Sequence, residues 1–389
     1  MIYNDLKFLA RRGHDMTVLA TTANSSVADG DIKDFATIRY FYKKKFPRPV
    51  QVLQNIGNKL PYTVTRHIDF RLLTCVRELL SKKEFDVVLI EDVVMAQYAK
   101  FIKESYDIPI YLRSHNISSL VSKRYYQAAR NPVIKFLAMR QFKKWHRYES
   151  SIFHSCDLIS QISPTDAENG EKLNPAVKSK VLYSGVDLEY FSPDDSIQRD
   201  PNAIVHVGTL DPSTKLPAML WFYEKVFPEV KKEFPDAFLE LAGYMPKCSM
   251  YDADSANVIV HGLVPDVRPY LAKGAVFISP QFVGSGIRIK ILNAMAMKNA
   301  VVATSVACEG LPVEDGKNIL IADTEEEFVE KICRLLREPE MVMNVGQNAR
   351  CLIEENFSWP SIAEILERHL TETIDNNIGE LSAKQHKDD

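Results

Sequence analysis

The sequence predicts an α/β protein with parallel, doubly wound sheets, and three observations lead to this fold class. Short apolar runs rich in β-branched residues alternate with helical patterns along the chain. Between residues 275 and 311, a glycine-containing turn joins a strand to a helix, which a second strand follows. The 389 residues, 46% hydrophobic and 25% charged, are enough for two soluble domains of this kind.

The first half of the chain shows the alternation from its beginning. Leu6, Leu9 and Ala10 share one face of a predicted N-terminal helix, and Gly13 stands where its C-terminal cap belongs. Two long helical patterns follow at 64–80 and 131–154. The predicted strands of this half are 15–20, 38–42, 86–90, 108–112, 158–162 and 181–183.

The second half repeats this alternation. A loop at 208–215 leads into a helical pattern at 216–233. Three amphipathic helices are predicted near the end, at 328–336, 342–355 and 358–374, and a polar tail follows them. The predicted strands of this half are 204–207, 238–242, 258–261, 276–279, 301–304 and 319–322.

The stretch 275–311 contains the first candidate binding site. Its predicted helix begins after the turn Gly284-Ser285-Gly286 and directs free backbone N–H groups beyond the carboxyl ends of the strands. Arg288 and Lys290 lie in the first turn of this helix, where the macrodipole disfavours cations. Two cations at this end indicate a bound anion such as phosphate. The alternative is a solvated basic turn.

The same stretch resembles the donor-sugar site of the retaining glycosyltransferase family 4, and the resemblance extends over nearly the whole chain. Its residues 284–298, GSGIRIKILNAMAMK, are similar to the G-G-G-I-R-L-K-I-L-E-A-M-A-M-G pattern of one branch of that family. Further short matches are 184–187 (SGVD) with Phe191, 220–222 (LWF), 264–271 (VPDVRPYL), 309–313 (EGLPV), 357–359 (FSW) and Asp211.

The resemblance implies a GT-B fold, in which two Rossmann-like doubly wound domains face each other across a cleft. It implies an acceptor-side domain at 1–185, a nucleotide-sugar domain at 186–356, and a terminal helix at 357–389 that crosses back to the first domain and ends in the polar tail. The family also has a first strand and a glycine-rich loop before the helix of Leu6. Neither has a counterpart in this sequence, which is therefore interpreted as N-terminally shortened unless another segment fills the gap.

The resemblance also implies a set of site residues. His115, in the polar cluster after the predicted strand 108–112, matches the histidine that faces the donor sugar, while Arg288 and Lys290 match the groups that stabilise the departing diphosphate. A metal ion is not expected. The predicted donor-binding residues are Gly208, Lys215, Gly284, Ser285, Gly286, Ile287, Asn293 and Glu309.

Several positions depart from the family pattern. Thr209 replaces an arginine after the glycine, and Lys215 lies one position beyond the usual lysine. Ser285 and Asn293 replace two glutamates of the wider family, the second of which accepts hydrogen bonds from the ribose hydroxyls. Asparagine is a neutral and weaker acceptor. Ser184, Lys298 and Ala300 are further differences.

Two functions therefore stay open. The first is a metal-independent retaining glycosyltransferase that moves a sugar from a nucleotide-sugar co-substrate, UDP- or GDP-linked, to a glycan or lipid-linked acceptor in cell-surface polysaccharide biosynthesis. No other cofactor is expected. The second is a catalytically silent GT-B homologue that serves as a partner subunit or glycan-binding module. A nucleotide-sugar epimerase shares the architecture, but no loop pattern favours it.

The charge distribution suggests different partners for the two halves. Residues 1–185 carry 29 Lys and Arg against 18 Asp and Glu, and residues 186–389 carry 19 against 33. The basic runs at 43–45 and 143–147 fit either an anionic membrane surface or a merely solvated surface. No nucleic-acid recognition module is visible. The six scattered cysteines predict a reduced, cytoplasmic protein, with peripheral contact at the inner face of the membrane as an option.

Overall fold

The computed structural model describes most of the chain in two compact units. The first unit comprises Met1–Tyr183 together with Ile362–Asp389, and the second comprises Ser184–Ser361. The described residues are 2–22, 30–43, 55, 57–129, 131–175, 179–193, 196–212, 215–246, 257–283 and 287–388.

The first unit contains two parallel sheets. β1 (Thr17–Thr22) pairs with β2 (Thr37–Tyr42), and a separate four-stranded sheet has the order β3 (Val88–Glu91), β4 (Ile110–Ser114), β5 (Leu158–Gln161) and β6 (Ser179–Val181). Within the described ranges, β1 pairs only with β2 and β3 only with β4. The described strands of this unit therefore do not form one continuous sheet. β4 is buried at every position and contributes to the core with Ile90 and Ile159.

Helices flank these sheets, and the prediction of one continuous helix at 64–80 is wrong. The pattern at 64–80 forms two helices because the chain is extended at Ile68 and Asp69. The Asp69 carboxylate accepts the backbone N–H of Arg71 at 2.9 Å and caps the second helix. The helices of this unit are α1 (Ile2–Arg11), α2 (Tyr62–His67), α3 (Phe70–Lys82), α4 (Gln97–Ser105), α5 (Ser118–Ala128), α6 (Pro132–Ile152) and α7 (Pro164–Leu173), with short 3-10 helices at Gly30–Asp34 and Phe153–Ser155.

The second unit contains one parallel sheet of six strands. Buried strands of a parallel sheet need apolar residues on both faces, and β10 and β11 are accordingly buried at every position. The strands in spatial order are β12 (Leu320–Ile321), β11 (Ala300–Ala303), β10 (Gly274–Ser279), β7 (Asp200–Val207), β8 (Phe238–Ala242) and β9 (Val258–Gly262).

The predicted continuous helix at 216–233 is interrupted in this unit. A π-helical turn at Phe222–Val226 separates two α-helices, and Phe227 donates its N–H to the carbonyl of Phe222, five residues earlier. Pro228 follows and has no N–H to continue the regular pattern. The helices here are α8 (Lys215–Trp221), α9 (Phe227–Glu233), α10 (Arg268–Lys273), α11 (Ile289–Ala296), α12 (Ser305–Cys308), α13 (Glu325–Arg337) and α14 (Pro339–Phe357).

The terminal helix, α15 (Trp359–Asp388), contributes most of its described length to the first unit. There its Glu367 pairs with Arg12, and a ring nitrogen of His369 lies 3.2 Å from the Tyr111 hydroxyl. Of the described helices, none is both long and apolar enough to cross a bilayer.

Candidate functional site

Three cations come together in the second unit, close to the carboxyl end of β7. Arg288 occupies the N-cap position of α11, Lys290 lies in its first turn, and Lys215 begins α8. The aliphatic part of Lys290 lies against Gly208, directly after β7, where an added Cβ would stand 3.7 Å from Lys290 Cδ. Gly208, Lys215, Arg288 and Lys290, four of the site residues predicted from the sequence, therefore lie close together.

The electrostatics of this cluster favour an anionic ligand. Burial, together with repulsion from Lys215 and Arg288, lowers the pKa of Lys290 to about 7. Asp211 acts to raise the pKa of Lys290. Its carboxylate also lies 3.9 Å from Lys215 Nζ, so that its charge is shared between the two lysines. A phosphate beside Lys290 would relieve this repulsion and restore the charged state of the lysine.

The side chain of Arg288 contacts the main chain. Its side chain is buried, and Nη2 donates to the carbonyl oxygen of Val306 at 3.4 Å. Val306 lies in α12, which Thr304 caps by accepting the N–H of Ala307. The guanidinium group is thereby held beside the start of α11, and the first backbone N–H groups of a helix can bind an anion.

Two glycines allow the segments that follow the carboxyl ends of β7 and β8 to approach each other. Gly208 and Gly243 have φ of +136° and +128°, a region that side chains rarely adopt. A Cβ added to Gly243 would lie 2.2 Å from the carbonyl oxygen of Gly208. Glycine at 243 is therefore required for the loop of Gly208 to take its position beneath Lys290.

A buried histidine that was not predicted from the sequence lies near the cations. His206 of β7 donates from Nδ1 to the carbonyl of Ile278 at 2.8 Å, so that Nε2 is an acceptor without a partner among the described residues. Burial, and then Lys290 and Lys215, hold its pKa well below the usual value. The ring is therefore neutral at physiological pH. A polar residue within an apolar strand was the available signal.

The remaining donor-side predictions have different outcomes. Ile287 is half-buried directly before the N-cap of α11. Asn293, within α11, and Glu309, at the end of α12, are also half-buried, and neither side chain bonds to a described residue. Their assigned ligand contacts stay predictions. Gly284, Ser285 and Gly286 lie outside the described residues.

His115 belongs to a separate polar cluster in the first unit. It follows β4, and its Nε2 donates to Glu91 at 2.9 Å because an ionised carboxylate can only accept. Its Nδ1 lies 3.9 Å from the carboxylate of Asp92, which continues from β3 with φ of +76°. Glu91 thus orients the imidazole ring. Both acidic residues directly follow the predicted strand 86–90, and this position at a strand end was the available signal for them.

A buried ion pair supports this cluster from within. Arg113 is fully buried, pairs with the buried carboxylate of Asp5, and donates to the carbonyl of Tyr183 at 3.0 Å. Burial raises the pKa of Asp5 to about 6 although Arg113 acts to lower it. The Glu91 carboxylate lies 3.7 Å from the same guanidinium. Asp5 and Arg113 were likewise not identified from sequence.

Across the described ranges, no group of three or more His, Cys, Asp and Glu side chains is arranged to hold a metal ion. Four buried cysteines and the exposed Cys351 are free thiols, and Cys248 lies outside the described residues.

Comparison with protein families gives two matches in succession along the chain. Residues 1–190 match the family model described as Glycosyltransferase Family 4, and residues 201–338 match the model described as Glycosyl transferases group 1. A curated relative, an uncharacterized 44.6 kDa protein in the cps region of Klebsiella pneumoniae, is 22% identical over 365 residues, which cover 90% of each chain.

Solved structures resemble the chain over nearly its full length. A sucrose-phosphate synthase from Thermosynechococcus elongatus superimposes with a TM-score of 0.67 at 16% identity, covering 95% of this chain and 92% of the other. The Anabaena protein Alr3699/HepE in complex with UDP has a TM-score of 0.60 at 14% identity, covering 92% and 100%. A glycosyltransferase from Rickettsia africae has a TM-score of 0.56 at 12% identity, covering 96% and 94%. The α/β, GT-B fold class predicted from the sequence is confirmed.

Proposed function

The chain belongs to the group 1 glycosyltransferases of GT-B fold, and from this premise we propose that it transfers a sugar, with retention, from a nucleotide-sugar donor to a glycan or lipid-linked acceptor. One observation carries the proposal: the cluster of Lys215, Arg288 and Lys290 at the start of α11 and α8, with Asp211 as its acidic neighbour. The relative from a cps region supports a role in surface polysaccharide biosynthesis.

The chemistry requires stabilisation of a leaving diphosphate. As the bond to the anomeric carbon breaks, negative charge accumulates on the diphosphate while the sugar acquires oxocarbenium character. Arg288 and Lys290, with the free N–H groups of α11, stabilise that charge without a metal ion. His115, oriented by Glu91, is proposed to contact the donor sugar, as the sequence resemblance implies.

The donor is proposed to carry uridine. The structurally similar Alr3699/HepE was crystallised in complex with UDP and with UDP-glucose, which makes UDP the first probe and GDP the second. Thermal-shift screening with UDP, GDP, ADP and TDP tests the proposal directly, because a ligand of the native state raises the melting temperature. Absence of a shift with all four would contradict it.

The pKa of Lys290 predicts how UDP affinity depends on pH. A bound diphosphate favours the charged lysine, so the pKa of about 7 should rise on binding and the complex should take up a proton. We expect affinity to fall as pH rises from 7 to 9, by up to about tenfold per unit. Calorimetry in buffers of different ionisation enthalpy measures the proton uptake. Lys290→Met should abolish it, and a pH-independent affinity would argue against this contact.

The variant Asn293→Glu distinguishes an active enzyme from a catalytically silent homologue. In an active enzyme, Asn293→Glu supplies a charged acceptor to a ribose hydroxyl, and UDP affinity should increase by about 1 kcal/mol. In a silent homologue with an unoccupied site, the new carboxylate should gain nothing. Calorimetry with UDP measures the change. Release of nucleotide from UDP- and GDP-sugars, with a glycan extract as acceptor, measures turnover in both proteins.

A further inference from the structure

The segment 118–148 carries only basic charges. This stretch contains eight Lys and Arg and no Asp or Glu. The next acidic residue, Glu149, is fully buried and accepts the backbone N–H groups of Ser118 and Ser119 at 2.7 and 2.9 Å. Its carboxylate therefore caps α5 and is withdrawn from the surface. Lys144 is buried as well and donates to Asn55.

The structure places exposed apolar groups beside these cations. α5 and α6 pack against each other, and residues 131–136, at the start of α6, are all exposed. Val133, Ile134 and Phe136 expose 65%, 46% and 52% of their surface. Exposed cations continue from them along one helical face at intervals of three and four residues, at Arg140, Lys143 and Arg147. We call these six residues the basic–apolar surface.

The two components of this surface suit a bilayer better than a soluble polyanion. Lipid headgroups of negative charge attract the Arg and Lys side chains, and the acyl boundary beneath them accepts valine, isoleucine and phenylalanine. A nucleic acid or an anionic glycan satisfies the cations but offers no apolar phase for Val133 and Ile134. A second copy of the chain would bring like charges together.

We infer that the basic–apolar surface binds an anionic lipid bilayer, with Val133, Ile134 and Phe136 inserted at the headgroup level and Arg140, Lys143 and Arg147 on the phosphates. This attachment is independent of the glycosyltransferase proposal, because binding to vesicles requires neither nucleotide nor acceptor. It is peripheral and depends on salt, since ionic strength screens the contribution of the cations.

Sedimentation with lipid vesicles tests the inference on the full chain. Wild-type protein should bind vesicles of phosphatidylcholine with roughly 30% phosphatidylglycerol much more strongly than phosphatidylcholine alone, and less in high salt. Reversing Arg140, Lys143 and Arg147 to Glu should weaken binding by more than about 100-fold, because each cation near an anionic bilayer contributes roughly fivefold. Serine at 133, 134 and 136 should weaken it by at least about tenfold.

A matched control carries the same change of charge elsewhere in the first unit. Lys82, Lys100 and Lys172 are exposed on α3, α4 and α7, and their replacement by Glu should weaken binding by much less. Circular dichroism verifies that each variant is folded. In Phe136→Trp, vesicles should shift the added emission to shorter wavelength, whereas in Lys172→Trp they should not.

Three results would overturn the inference. Equal loss of binding in the control variant would show that net charge, and not this surface, is responsible. Full vesicle binding by the serine variant, with competition by heparin, would identify a site for soluble polyanions. A dimer in light scattering that the serine variant converts to a monomer would identify an interface between copies of the chain.

Discussion

Replacement of Arg288 and Lys290 together by alanine should reduce UDP affinity by roughly 100-fold or more, because each lost charge-assisted hydrogen bond costs about 1.5–3 kcal/mol. Both side chains lie at the start of α11, and a bound anion would relieve the repulsion that they and Lys215 exert on one another. Isothermal calorimetry with UDP measures the loss. The matched control is Lys317→Ala with Arg334→Ala, two exposed cations of the same unit, and it should bind as wild type does.

Removal of the Lys290 charge should stabilise the nucleotide-free protein although it weakens nucleotide binding. Because the folded-state pKa of Lys290 is lowered to about 7, the charged lysine destabilises the native state. This cost is largest below pH 7 and diminishes as pH rises toward the unfolded value of about 10.4. Lys290→Met should therefore stabilise the ligand-free protein most at pH 6 and least at pH 10. Unchanged UDP affinity together with reduced stability would assign Lys290 a structural role.

Arg113→Met should destabilise the first unit by about 3–5 kcal/mol, since it leaves a buried carboxylate without its partner. Asp5 is almost completely buried, and Arg113 is its principal cationic neighbour. Hydrogen exchange at the buried strand β4 measures the effect in this unit separately from the other. Exchange in β10 of the second unit provides the internal control.

The pH dependence and a double variant distinguish this mechanism from a simple packing defect. Without Arg113, the pKa of Asp5 should rise above about 6, and the variant should lose stability progressively as pH rises from 4 through that value. Asp5→Asn combined with Arg113→Met removes the buried charge and should recover much of the loss. A loss independent of pH, or no recovery in the double variant, would show that packing of the arginine side chain is the cause.

Local sequence patterns were sufficient to predict the strands and to single out the two cations at the start of α11. A strand buried on both faces must be apolar throughout, so β10 and β11 could be recognised as short runs without further information. Arg288 and Lys290 were recognisable because cations at a helix N-terminus oppose the macrodipole. The interruption at Pro228 was also readable in principle, since proline cannot donate the expected hydrogen bond.

The partners of the site residues depended on how distant segments pack. His115 and Glu91 are 24 positions apart, and Arg113 and Asp5 are 108 apart. No periodicity relates such pairs, because the parallel register of β3 and β4 brings the first together and the packing of α1 brings the second. The unusual state of Lys290 likewise requires burial and the nearby Lys215, which come from different parts of the chain.

The exposure of apolar side chains also depended on how the chain packs. From the sequence, Val133, Ile134 and Phe136 belong to a helical pattern in which apolar residues ordinarily face the core. In the structure they lie at the free beginning of α6, while Trp145 and Tyr148 of the same helix are buried. A hydrophobic residue contributes to folding only where another surface covers it. The chain alone therefore determined which residues are apolar, and the packing of α5 and α6 determined which of them stay available to a partner.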